Sequence, residues 1–191
     1  MSWQRQHERR TSERPSSFTT NGGRDDVDTF GLAFHSKTAP WSVAESLTLR
    51  LRYGLDGYHD RVESVAWLIF SDFDPDIVRV RSRGQYIDGS TYTWGGLWAE
   101  SEAVLADDLI FRAGGRLSYI SANAPADMES GTLAVDRQWH STVGNVGVEY
   151  WVDNSLAIMA GADQGFRAPN LDDLTSRQQT GPGFQFENAG L

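Results

Sequence analysis

Charged residues recur at even spacings inside otherwise apolar stretches: Arg50 and Arg52, Glu100 and Glu102, Arg112 and Arg116. Even spacing puts each set on one face of a strand. Both signs in mid-strand suit a polar lumen, because an ordinary solvated face has no reason to select arginine. The chemistry on offer there is ion pairing and ligand contact, not bond making. The other candidates are histidines. His7, His59 and His140 fall toward one end of their strands, where a chelate would be met, and His59 and His140 are the candidates for ligand contact. Their plainer reading is as isolated strand-end histidines. Asp72, Asp74 and Asp76 have calcium-like spacing but lack the Gly at the sixth position and the Glu at the twelfth, so they read as a solvated loop. Serine, histidine and aspartate are all present without any nucleophile motif, so the residues point to no enzyme, no cofactor and no metal site.

Composition narrows the partners. The chain has 191 residues, 26 acidic against 17 basic, and a net charge of -9. Phosphate binding needs a basic stripe, so nucleic acid is excluded as a partner. There are no cysteines, hence no disulfides or thiolate metal sites. Mean hydropathy is -0.45. The longest apolar run, Val65–Phe70, falls far short of the roughly 18 residues a membrane helix needs. The first twenty residues are polar and hold no secretory signal. A membrane barrel stays open, since its strands are only half apolar.

The elements that would carry these residues are strands. Leu47, Leu49, Leu51, Tyr53 and Leu55 alternate with Thr48, Arg50, Arg52, Gly54 and Asp56. As a helix this run would scatter arginine around every face; as a strand it has one oily and one charged face. Phe30, Leu32 and Phe34 alternate in the same way. So do the stretches 92–105 and 109–119, on either side of a tight turn at Ala106–Asp108. Pairing about that turn sets Glu102 opposite Arg112 and Trp98 opposite Arg116. A second hairpin joins Thr142–Val152 to Leu156–Ala162 through Asp153-Asn154-Ser155. Residues 1–9 read as a weak strand. Lys37–Ser46 reads as a turn region. Arg10–Asp25, His59–Ser90, Ala122–Arg137 and the chain from Arg167 read as long polar loops, with Val65–Phe70 either a short strand or an apolar patch.

Short turns and long loops therefore alternate, one kind at each end of an antiparallel sheet. This is the layout of a transmembrane β-barrel, with short periplasmic turns and long extracellular loops. The expected fold is an all-β barrel segment of about seven strands, each crossing in roughly ten residues. Leu47, Leu49, Leu51, Leu109, Phe111, Val148 and Ile158 would face lipid. Trp41, Phe34, Phe111, Tyr150 and Trp151 would form one aromatic girdle; Tyr119, Trp139 and Phe166 would form the other. The alternative is a soluble β-sandwich ligand-binding module, or a barrel that transports nothing.

Several segments resemble the TonB-dependent outer-membrane receptors. Gly165-Phe166-Arg167-Ala168-Pro169-Asn170-Leu171-Asp172-Asp173-Leu174 looks like that family's strand-to-loop segment. Gly96–Glu102 is similar to its Gly-Leu-Tyr-Ala-Glu-Asp-Glu strand. Asp25–Leu32, Tyr86–Tyr92 and Phe184–Leu191 sit where it has similar runs. The resemblance implies part of a larger barrel, typically of about 22 strands with a plugged lumen, in the cell outer membrane. On that reading residues 1–191 are an internal piece of the barrel domain, and the plug, signal peptide and C-terminal strands lie outside it. The resemblance also implies uptake of a scarce nutrient chelate, iron–siderophore first, with outer-membrane lipid, the plug, the TonB energy-coupling protein and an extracellular ligand as partners. Phe166, Arg167, Ala168, Pro169 and Asn170 would carry the family motif, and Pro169 holds Ala168 out of the helical region. The haem-receptor branch has a histidine between its two boxes; between Pro169 and Asn188 this chain has none.

Overall fold

Alternation of period two becomes strand along nearly the whole chain. The computed structural model describes residues 1–14, 19–71, 77–180, 183–185 and 188–190. Its strands are β1 (Ser2–Arg14), β2 (Thr19–Lys37), β3 (Trp41–Ala44), β4 (Leu47–Phe70), β5 (Ile77–Arg81), β6 (Thr91–Leu105), β7 (Leu109–Ala124), β8 (Val135–Asp153) and β9 (Leu156–Asp163). A short helix, α1 (Leu171–Thr175), and a separate hairpin of β10 (Gln178–Thr180) and β11 (Gly183–Gln185) follow. Among the described residues no helix is long and apolar enough to cross a membrane, which says nothing of strands.

The main sheet is antiparallel, in the order β1-β2-β4-β6-β7-β8-β9. β3 continues the lane of β2 along β4, and β5 continues the lane of β6. The break between β2 and β3 falls at Pro40, which has no N–H to give. Thr38 bridges the gap: its N–H donates to Leu51 O at 2.9 Å, and its hydroxyl accepts from Leu51 N at 3.0 Å. One sheet of this kind excludes the two-sheet sandwich. Among the described residues β1 and β9 each pair on one side only.

Register puts Leu47, Leu49, Leu51, Leu109, Phe111, Val148 and Ile158 on a single face. Leu47 and Leu49 lie opposite Leu105 and Ala103, Phe111 opposite Ala103 and Val148, and Ile158 opposite Tyr150. Within the belt of these residues the outer face is uncovered and apolar: Leu97, Leu117, Val146 and Ile158 are 57–61% exposed. Soluble monomers rarely expose more than a few hundred Å² of continuous apolar surface. An apolar band of this width is a lipid-facing wall.

Two of the long polar loops of the sequence reading, 10–25 and 59–90, are mostly strand among the described residues, and strand also enters both ends of 122–137. β1 runs on to Arg14, β2 starts at Thr19, β4 reaches Phe70, β7 reaches Ala124 and β8 begins at Val135. β4 has 24 residues and β2 and β8 have 19 each, against about 9–11 for a tilted crossing. Beyond the apolar belt polar and apolar residues occur on both faces, so the alternation fades while the backbone ladder continues. Lys37–Ser46 likewise contains β3, with the turn proper at Glu45–Ser46. Trp139, Trp151 and Phe166 leave the proposed girdles: all belong to the inner side, Trp139 and Trp151 by their odd parity on β8, Trp139 also by packing against the inner core. Asp72, Asp74, Asp76, Glu187 and Leu191 lie outside the described residues.

Two irregular segments, 82–90 and 164–177, fold back onto the inner face at its loop end. They build a small core there from Val62, Ile87, Tyr92, Ile120, Ala122, Val135, Leu171 and Leu174. Ser64 ties the first segment to β4: its N–H donates to Asp88 at 3.0 Å, its hydroxyl donates to Asp25 and accepts from Tyr86 N at 3.2 Å. Gly89 makes the return with φ at +77°, a conformation that favours glycine.

Candidate functional site

Inner-facing side chains of β4, β6, β7 and β8 form two tiers. The tier near the short turns is an ion network centred on Glu102, which is 8% exposed. Its carboxylate accepts from Arg50 at 3.2 Å, Arg52 at 3.3 Å and Arg112 at 3.1 Å. Arg112 reaches on to Glu149 at 2.7 Å, and Arg52 lies 3.6 Å from Glu100. Sharing one carboxylate among three cations spaces their charges and holds long side chains in register.

Arg116 sits apart from this network. It donates two hydrogen bonds to Asp56, at 3.2 and 3.0 Å, and lies 4.5 Å from the ring centroid of Trp94. Trp94 stacks on Tyr58 at 5.5 Å, and Tyr58 on Tyr92 at 6.3 Å. These side chains floor a cavity of about 430 Å³, roofed by Phe166, Arg167, Ala168 and Asn170. The structure thus brings the motif residues over Arg116, the one sequence-nominated charge outside the network. Asp56 and Glu149 were not nominated, although their strand parity was readable from the same alternation.

The motif itself folds as a capped turn. The Asn170 side chain accepts from Asp173 N at 2.9 Å, and the Asp173 carboxylate accepts from Asn170 N at 3.1 Å. This is a capping box; an Asn three residues before an Asp, flanked by Leu171 and Leu174, was the signal for it. Arg167 donates to the same Asp173 carboxylate at 3.1 Å. Leu174, Thr175 and Ser176 are fully buried. Tyr86 O–H and Gln85 Nε2 both donate to Asp172 at 3.4 Å, so two family-like segments far apart in sequence meet here. Arg137 on β8 donates to Ala189 O at 3.1 and 3.0 Å, which draws in the third. Burial, with Asp172 and Asp25 nearby, pushes the Tyr86 phenol up to about 12.

His59 and His140 do lie toward the loop end, but on the outer face. His59 Nδ1 bonds Thr93 Oγ1 at 2.8 Å, and His140 packs against Tyr119 with ring centroids 5.2 Å apart. Both edge an open apolar groove of about 800 Å³ floored by Gly57 and Gly95. His7 pairs with Asp26 on that same face, and only His35, against Trp98 near the turn end, has inner parity. Among the described residues no three of His, Cys, Asp or Glu gather as a metal site.

An antiparallel sheet with an apolar outer wall, a charged inner wall and loop segments folded inward defines the wall of a transmembrane-type β-barrel. Residues 2–191 match the family "TonB dependent receptor-like, beta-barrel", and the chain belongs to that family. No curated protein sequence matches it. Among solved structures it is similar in fold to a double mutant of the Serratia marcescens hemophore receptor HasR, in complex with its hemophore HasA and heme. The TM-score is 0.70 at 13% identity, covering 99% of this chain and 34% of HasR. The chain thus spans about a third of the length of that receptor.

Proposed function

We propose that the chain is part of the barrel wall of an outer-membrane receptor that captures a scarce nutrient chelate and imports it, iron–siderophore first. The observation that carries this is the roofed aromatic–arginine cavity of about 430 Å³ on the inner wall. Its lining has flat rings for apolar ligand parts and guanidinium groups for oxygen anions, a composition suited to small-molecule capture. The apolar outer band supports residence in the outer membrane. The network of Arg50, Arg52, Glu100, Glu102 and Arg112 suits contact with a plug held inside the barrel, and import would then draw on the TonB energy-coupling protein. Capturing and passing a chelate makes and breaks no covalent bond, so the role proposed is non-enzymatic. A haem ligand is the second reading, favoured by the likeness to a hemophore receptor. The outer-face parity of His7, His59 and His140 supports the siderophore-type chelate instead.

The test is uptake of radiolabelled iron by a receptor-deficient Gram-negative host producing the gene product that contains this chain. Import that needs both this protein and the coupling protein is the expected outcome. Binding or uptake that proceeds equally well without the coupling protein would sink the proposal.

A further inference from the structure

The apolar outer wall has a gap in it. Register aligns Leu32, Gly57, Gly95 and Tyr119 as one row across β2, β4, β6 and β7. On its turn side Phe34, Leu55, Leu97 and Leu117 form the next row. The second row is continuous, whereas the first lacks side chains on two adjacent lanes. Those two glycines floor the open groove of about 800 Å³, with Leu32, Tyr119 and the leucine row as its walls. The backbone needs only one of them. Gly57 admits no Cβ, because Trp94 O would lie 2.6 Å away. At Gly95 an added Cβ would have Asp56 O as its nearest neighbour, at 3.9 Å, an ordinary contact. Crowding therefore does not account for the missing side chain at Gly95, which keeps the groove open.

The groove interrupts a wall that faces lipid, so water does not suit it, and a void in an apolar surface forfeits packing contacts. An acyl chain is the apolar body available at that depth. The loopward end of the groove is polar. His59 and Thr93, hydrogen-bonded at 2.8 Å, make the next row. Arg61 follows on the same face of β4, opposite Asp28 and Thr91. Arg61 is exposed, while Asp28 lies 3.7 Å from Arg5. Four residues of tilted strand set Arg61 about 10 Å nearer the loop-side surface than Gly57. That is the level of a headgroup phosphate, which takes paired N–H donors from a guanidinium. We propose that the groove is a binding site for one acyl chain of a phosphate-bearing lipid in the loop-side leaflet, with the phosphate resting on Arg61. The lipid seated there is a fixed part of the wall. It backs the stacked Tyr58 and Trp94, which occupy the inner face of the same two lanes, and so stiffens the floor of the inner cavity.

The assignment rests on the lipid-facing reading of the outer wall. The gene product containing this chain is purified in detergent and supplied with dipalmitoyl phosphatidylglycerol or, as the phosphate-free comparison, dipalmitoylglycerol. Retained lipids are counted by native mass spectrometry. Gly95→Leu fills the groove; Ala99→Leu adds the same side chain to the same face of β6 beyond the leucine row. Wild type and Ala99→Leu should hold one phosphatidylglycerol more tightly than any other, and Gly95→Leu should lack it. Arg61→Gln should hold it about fivefold more weakly, with dipalmitoylglycerol retention unchanged. Heat-modified gel mobility reports folding. If Gly95→Leu does not fold, Tyr119→Ala takes its place: it removes one wall without adding bulk and should weaken retention. No tightly held lipid on the wild type, equal retention by both groove variants, or equal loss in Ala99→Leu would each overturn the site. A two-copy complex that Gly95→Leu alone disrupts would give the groove to a second copy and overturn it too. Flotation with vesicles of the same lipid separates the two readings. A protein that floats but holds no such lipid discards the groove site alone; one that stays in the aqueous phase discards the lipid-facing wall as well.

Discussion

Arg116 is held from two sides, by the Asp56 carboxylate and by the face of Trp94. Asp56→Asn keeps the shape and removes the charge that the fork grips. It should cost about 1–3 kcal/mol, the usual worth of hydrogen bonds to a charged group, read as a lower unfolding midpoint in detergent. Trp94→Leu should cost less, since a partly solvated cation–π contact is worth about 0.5–2 kcal/mol. Tyr86 tests the inner core by titration. Its folded value is raised from 10.0 to about 12, so the fold favours the neutral phenol. The stabilisation is complete below the ordinary value and is lost as pH climbs from 10 to about 12. The difference in tyrosinate absorbance between wild type and Tyr86→Phe should therefore titrate near 12. A midpoint near 10 would mean that segment 82–90 does not pack against α1.

The elements differ in how they are held. α1 has five residues, too few to persist alone, so its cap and its buried leucines decide whether it forms. Asn170→Ala should remove about 1 kcal/mol of local stability. Faster amide exchange over 171–176, with the sheet's own protection unchanged, is the expected reading. The strands depend on close approach of backbones. A Cβ at Gly57 would meet Trp94 O at 2.6 Å and Gly95 Cα at 3.0 Å, both on the neighbouring strand. A Cβ at Gly95 has its nearest neighbour, Asp56 O, at 3.9 Å. Gly57→Val should therefore destabilise the β4–β6 pair by about 1–3 kcal/mol, and Gly95→Ala should be tolerated. Comparing the two by heat-modified gel mobility separates backbone crowding from a mere loss of flexibility.

For the molecule as a whole, the outer wall and the two outermost strands set the solvent it needs. β1 and β9 expose ladder donors and acceptors on their outer sides, which are aggregation-prone in water and unsupported in lipid. Residues 1–191 expressed alone should be insoluble in plain buffer and take up β structure only in detergent or lipid. Analytical ultracentrifugation with circular dichroism checks this. A monodisperse soluble monomer that melts cooperatively would contradict the lipid-facing assignment of Leu97, Leu117, Val146 and Ile158.

Inside the apolar belt, parity alone reveals side and partner. Leu49 against Arg50, or Phe111 against Arg112, tells which residue meets lipid, and the turn at Ala106–Asp108 sets Glu102 against Arg112 before any coordinates exist. This works because a membrane imposes different solvents on the two faces, and a strand records that difference every second residue. Above the belt the two faces share one solvent. There β4 runs from His59 to Phe70 without a pattern to announce it, and hydrogen bonds between lanes, not side-chain chemistry, make it strand. Histidine placement was legible in part: strand-end position could be read for His59 and His140, but their face follows only once each strand is registered to its neighbour. The meeting of Tyr86 with Asp172, and of Arg137 with Ala189, lay beyond any local pattern. Such contacts join segments that approach only when the chain folds back on the inner wall, and the burial of Leu174 and Ile87 drives that step.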